Sequence, residues 1–107
     1  MAKRSSSPRA LRRADARAAD KLARDRERLA RLEPGGDPAR PLDVESASQV
    51  EPHALALVCV RCSGSTRLEE HAAVTVEHER LRVARLACPQ CGAHREVWFR
   101  IAPRLPS

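Results

Sequence analysis

The chain has 107 residues, 20 Lys+Arg against 14 Asp+Glu for a net charge of +6, and only two aromatic residues, Trp98 and Phe99. Two rings cannot build an aromatic-rich core, nor a stacking platform for single-stranded nucleic acid, which uses several exposed rings. The longest apolar run, residues 54–60, is far short of the about 20 residues a bilayer span needs, and residues 1–32 hold no apolar leader segment, so no membrane association and no secretory signal are expected.

Residues 1–32 form a basic arm. They carry 11 basic and 4 acidic side chains, whereas residues 33–107 carry 9 basic and 10 acidic, so the positive excess belongs to the arm. Only Lys3 and Lys21 are lysines; the rest are arginines, which bind phosphate bidentately, although biased codon usage explains an Ala-, Arg- and Pro-rich composition equally well. From about Arg9 the arm is Ala, Arg, Leu, Asp and Glu with no Gly or Pro before Pro34, which predicts a helix with Ser7 as its cap and Pro8 at its first position. Leu11, Ala14, Ala18, Leu22, Leu29 and Leu32 recur at steps of three and four, with a gap at Asp25 and Arg26. This is a thin apolar stripe, too poor in Leu for a strong coiled coil. Asp20 with Arg24 and Glu27 with Arg31 are acid-before-base pairs at helical spacing.

Residues 33–53 contain Pro34, Gly35, Gly36, Pro38, Pro41 and Pro52, and read as a flexible tether, with a short turn or strand between Leu42 and Val50 left open. Residues 54–101 read as a β domain, followed by a tail at 102–107. Ala72, Val74 and Val76 alternate with Ala73, Thr75 and Glu77; His78, Glu79 and Arg80 suggest a turn; Leu81, Arg82 and Val83 resume the alternation. Val97, Phe99 and Ile101 then alternate with Glu96, Trp98 and Arg100, so Trp98 faces away from Val97 and Phe99, to pack against the neighbouring strand or serve as a partner contact.

The chemistry lies in four cysteines, Cys59-Val-Arg-Cys62 and Cys88-Pro-Gln-Cys91, separated by 25 residues. Two Cys-x-x-Cys turns bring four soft ligands to one tetrahedral ion, which suits Zn²⁺. Gly64 and Gly92 follow the second cysteine of each pair and would permit the positive φ of a tight turn. So small a β segment buries little, and domains of this size usually rely on a metal, disulfides or oligomerisation. One structural Zn²⁺ is therefore expected, held by Cys59, Cys62, Cys88 and Cys91.

These residues resemble a known family. Cys59-x-x-Cys62-x-Gly64 and Cys88-Pro89-x-Cys91-Gly92, joined by a hairpin, look like a zinc ribbon, with Ser63 departing from the glycine many ribbons place there. The resemblance implies a small β zinc ribbon of three antiparallel strands, here preceded by a basic α-helix and a Pro/Gly linker. The family spans transcription and polymerase components, ribosomal proteins, topoisomerase tails and structural modules, so the fold alone fixes no function.

Three other readings compete. Two disulfides would need an exported protein. A thioredoxin-type dithiol needs a βαβ context and only one pair. A zinc deaminase places His-x-Glu ahead of its cysteines, whereas His94-Arg95-Glu96 follows them here. A four-thiolate zinc has no open coordination position, so no enzymatic activity and no small-molecule substrate are expected. His94 reads as solvent-facing, and His53, His71 and His78 as ordinary surface. Glu69, Glu70, Glu77 and Glu79 read as solvated strand faces. The expectation is a cytoplasmic zinc-binding protein associated with DNA, RNA or a ribonucleoprotein. Lys3, Arg4, Arg9, Arg12, Arg13, Arg17, Arg24, Arg28 and Arg31 would neutralise phosphates. The alternative is a protein-interaction module that uses residues 11–32 or Trp98. A transit peptide also fits the Arg, Ala and Ser content of the arm, but Asp15, Asp20, Asp25 and Glu27 argue against it.

Overall fold

The structure, a computed structural model, describes residues 7–102. Lys3, Arg4 and all but the first residue of the 102–107 tail lie outside them. Helix α1 runs Pro8–Leu32, with proline at its start, and the Ser7 hydroxyl accepts from the Ala10 N–H at 3.1 Å. No residue of α1 is buried. Its 25 residues make a rod about 37 Å long, and the molecule measures 77 × 25 × 24 Å.

The segment 33–53 is not a tether. It supplies strand β1, Leu42–Val44, a single 3₁₀ turn at Ala47–Gln49 and the start of helix α2, Val50–Leu55. Prolines and glycines punctuate this stretch without loosening it. The Gly35 N–H donates to the Arg40 carbonyl at 2.6 Å, and the Gly35 carbonyl accepts from the Trp98 N–H at 2.8 Å. Gly36 lies so close to the end of α1 that a Cβ there would collide with the Ala30 carbonyl and the Arg31 Cα. Pro52 stands in the first turn of α2, where a missing N–H costs no helical bond. Ala54, expected to begin the β domain, belongs to α2 and is fully buried.

Four strands, rather than three, form the sheet, in the order β1-β4-β3-β2. Strands β2, Arg67–Val76, and β3, Glu79–Ala87, are antiparallel. Strand β4, His94–Ile101, is antiparallel to β3. The additional strand β1 runs parallel to β4, with Leu42 opposite Phe99 and Val44 opposite Ile101. The β2–β3 turn is Glu77-His78, one residue earlier than expected. Both residues have positive φ, 48° and 70°, the backbone of a two-residue type I′ hairpin turn.

The main core lies between one sheet face and the β1–α2 segment. Val44, Val50 and Ala54 pack with Ala84, Leu86, Val97 and Phe99, and the edge of His53 meets the Phe99 ring at 5.6 Å. On the opposite face Ala72, Val83 and Trp98 are aligned across three strands. Val83 is fully buried there and Trp98 half-buried, so the indole packs among neighbouring strands. Two ladders flank this row. Arg85 pairs with Glu70 and with Glu96 (2.9 Å), and Arg100 pairs with Asp43 (2.9 Å) and Glu79 (3.1 Å). Each pair is solvent-exposed and contributes at most about 1 kcal/mol. Glu70 and Glu79 are therefore cross-strand partners rather than merely solvated.

His71 is likewise not ordinary surface. It is half-buried, with Nδ1 2.9 Å from Glu51 Oε2 and Nε2 3.4 Å from Arg82 Nη1. The ring thus sits between the Glu51 carboxylate and the Arg82 guanidinium, with one nitrogen facing each. The result ties α2 to β2 and β3.

Candidate metal centre

Each cysteine pair occupies a tight turn next to a strand end, and the two turns repeat one hydrogen-bond pattern. In the first, the Cys59 N–H donates to the Gly64 carbonyl at 2.8 Å and the Ser63 N–H to the Cys59 carbonyl at 2.9 Å. In the second, the Cys88 N–H donates to the Ala93 carbonyl at 2.8 Å and the Gly92 N–H to the Cys88 carbonyl at 2.8 Å. Ser63 and Gly92 therefore hold equivalent places, and both have positive φ, 63° and 79°. Ser63 takes the left-handed conformation expected of Gly64. Gly64 has a different reason to be glycine: a Cβ there would lie 2.6 Å from Gln90 Oε1, 3.2 Å from Cys62 Sγ and 3.5 Å from Cys88 Sγ.

All four sulfurs lie within 4.8 Å of one another. Cys59 Sγ is 3.6 Å from Cys91 Sγ, and Cys62 Sγ is 3.5 Å from Cys88 Sγ. A tetrahedral ion with metal–sulfur bonds of about 2.3 Å places its ligands about 3.8 Å apart, so the cluster fits one such ion. A disulfide needs about 2.05 Å, and all four cysteines are free. Cys59 and Cys88 are buried while Cys91 is exposed, so the site is rooted in the fold and reaches the surface.

Backbone amides and neighbouring thiols set the acidity of the metal-free site. Amides of Cys91 and Gln90 point at Cys88 and, against the opposing effect of burial, draw it down to about 7. The Gly64 amide acts in the same sense on Cys62, but Cys88, burial, Cys91 and Cys59 outweigh it and push that thiol up to about 12. Cys91 is also raised: the Ala93 amide and the Cys62 thiol lower it, but burial and the Cys59 and Cys88 thiols prevail. Burial pushes the Arg95 guanidinium down from its ordinary value against the opposing effect of Glu33, and it donates to the Val58 carbonyl at 3.3 Å.

His94 is not among the clustered ligands; its Nδ1 lies 3.1 Å from Glu69 Oε1 and its side chain is largely exposed. Arg61, inside the first cysteine turn, was singled out by no sequence motif. Its guanidinium lies 2.8 Å from Asp20 Oδ1 and 3.0 Å from Glu27 Oε1, clamping α1 to the turn. Glu27 therefore pairs with Arg61 at 3.0 Å and not with Arg31, the helical partner expected. Asp20 also holds Arg24 at 3.3 Å. The other arm arginines, Arg9, Arg12, Arg13, Arg17, Arg28 and Arg31, are all exposed along α1 and are remote in sequence from the cysteine turns.

Two substitution experiments follow from this geometry. Ser63→Gly relieves a left-handed conformation that costs a side-chain-bearing residue about 1–2 kcal/mol, so it should raise the thermal midpoint by roughly 4–8 °C per kcal/mol. Gly64→Ala should lower both the midpoint and zinc affinity, measured by competition with a chromophoric chelator. Separately, Arg61→Ala should cost less than about 2 kcal/mol globally, since two partly exposed pairs are lost. Hydrogen exchange should nevertheless accelerate locally across residues 20–31. Unchanged exchange there would mean that the clamp does not hold α1.

Comparison with known protein families, with curated proteins and with solved structures found no match. Four clustered cysteines could hold a metal ion, and no helix among the described residues is long and apolar enough to cross a membrane.

Proposed function

We propose that the chain is a non-enzymatic, cytoplasmic protein of zinc-ribbon type, stapled by one structural Zn²⁺ at Cys59, Cys62, Cys88 and Cys91, that associates with nucleic acid through its N-terminal arm. The observation that carries this reading is the distribution of charge on α1. The arm holds 11 of the 20 basic residues, and none of α1 is buried in a core. Two of its four acidic residues, Asp20 and Glu27, are engaged by Arg61, which leaves the basic excess of the helix turned to solvent. A phosphate backbone is the natural complement of such a surface, and binding through it releases counterions. The zinc supplies rigidity: when bound, four thiolates complete its coordination and leave no position for substrate.

A mobility-shift titration across a salt series tests the reading. The full chain should bind nucleic acid with an affinity that falls steeply with salt, and a chain lacking residues 1–32 should not bind. Equal binding by the truncated chain would contradict it.

A second reading has its own support. Leu11, Leu22, Leu29 and Leu32 are 51%, 51%, 60% and 62% exposed. An uncovered leucine stripe on a helix suits a protein partner's groove. Pull-down beside the mobility shift separates the two: a stoichiometric protein partner lost on Leu22→Ala/Leu29→Ala, with no nucleic acid retained, selects the second.

A further inference from the structure

We infer that α1 holds duplex DNA along one straight row of cations, Arg13, Arg17, Lys21, Arg24 and Arg28, through its phosphates and without reading its sequence. This rests on the nucleic-acid reading above and specifies the face and the kind of nucleic acid.

At 100° per residue these five side chains fall within about 80° of one another, one every three or four residues. All five are exposed. The leucine stripe of Leu11, Leu22 and Leu29 lies roughly a third of a turn away from the row. The side of α1 that meets the body is different again: Asp20 and Glu27 reach Arg61, and Gly36 lies under Ala30 and Arg31. By the same wheel that side is about a quarter turn from the row, so the sheet stands beside a bound polyanion rather than between it and the cations. The Arg61 clamp draws Glu27 and one oxygen of Asp20 toward the body, while the other Asp20 oxygen stays on Arg24 of the row at 3.3 Å. The clamp thus has an electrostatic consequence: it offsets part of the negative charge that would otherwise oppose phosphate.

The dimensions favour a duplex. From Arg13 to Arg28 the row spans about 22 Å, with successive cations roughly 4.5–6 Å apart along the axis. Phosphates of one strand rise about 3.4 Å each along the duplex axis while winding around it, so the straight row meets phosphates at several points along its length rather than following one strand. Residues 11–19 are exposed at every position and precede Asp20, which Arg61 holds, so the N-terminal part of the rod projects beyond that clamp. An α-helix fits the roughly 12 Å major groove of B-form DNA, whereas the major groove of A-form RNA is too narrow for side chains to read. Single strands are the poorer match, because α1 has no aromatic ring on which a base could stack. It has no Asn, Gln, Ser or Thr, while Arg and Lys reach guanine edges as well as phosphates, so binding of two unrelated duplex sequences alike is the mark of a backbone contact.

Fluorescence anisotropy on the full-length, zinc-loaded protein tests this. The probes are 20-bp DNA duplexes of two unrelated sequences, the matching DNA single strand and a 20-bp RNA duplex, each across a salt series. Two variants remove the same charge from exposed positions: Arg17→Gln/Lys21→Gln/Arg28→Gln on the row, and Arg9→Gln/Arg12→Gln/Arg26→Gln off it. Gln preserves helix propensity. The wild type should bind both DNA duplexes alike and more tightly than the single strand or the RNA duplex. The row variant should bind DNA at least tenfold more weakly than the off-row variant, with a log–log salt slope smaller by about 2.7, as expected for three lost phosphate contacts. Equal weakening by both variants would overturn the row while leaving nucleic-acid association intact. So would a single strand or RNA duplex bound as tightly as DNA. A wild type that binds none of the probes would overturn the row together with the reading on which it rests.

Discussion

Chelating the metal should melt the sheet: far-UV circular dichroism should lose its β signature cooperatively, and restoring zinc should recover it. The cysteine turns cap the same strands that form the core, with Cys88 1% and Cys59 4% exposed. Their loss therefore removes more than a peripheral loop. A structural zinc contributes about 10–16 kcal/mol of coupled binding and folding energy, against about 5–15 kcal/mol for the whole stability of an ordinary domain. Cys88→Ser should approach the effect of chelation, because three ligands leave a position open to water. Acid should act in the same direction. Cys62 stands at about 12 and Cys91 is raised, so the metal-free site holds protons at neutral pH that the ion must displace. Affinity should rise with pH and fall as protons compete for sulfur. A sheet unaffected by chelation would contradict this dependence.

Val50→Asp is the second large effect expected. Val50 has 0% exposure and packs with Ala54 beneath Val97 and Phe99. A carboxylate there would be buried without a partner, at a cost of several kcal/mol. The variant should be largely unfolded by circular dichroism at 25 °C even with zinc present. If residues 33–53 were a tether, the same substitution would leave stability unchanged. A wild-type melting curve would therefore contradict the packing of α2 on the sheet.

The contrast between those two sites explains what the sequence could and could not disclose. Metal ligands announce themselves because coordination demands particular atoms at short spacing, and Cys59, Cys62, Cys88 and Cys91 do cluster. Helix α1 was legible because 25 residues give helical propensity room to accumulate. Strand β1 has three residues, too few for alternation to register, and its parallel pairing with β4 is non-local. Helix α2 has six residues, one of them Pro52, and local signals read that proline as a breaker. The Glu51–His71 contact followed α2 into obscurity, since it exists only once α2 is laid against β2. The hairpin turn was displaced by one residue because Glu77 and His78 are not the Asn and Gly that usually mark positive φ. Ser63 concealed itself similarly, beside a glycine that has another purpose. By contrast, the opposite orientations of Trp98 and Phe99 were readable, because a regular strand has a strict period of two.

The sulfur cluster and the basic helix are linked through one side chain. Arg61 belongs to the first cysteine turn and also clamps α1, so an ion held by the cysteines would also steady the base on which the basic rod is mounted. Native mass spectrometry of freshly purified, reduced protein tests that foundation most directly. The account predicts one zinc ion per chain in the wild type, lost together with the folded charge-state distribution on Cys88→Ser. A folded, fully reduced chain carrying no metal would contradict it.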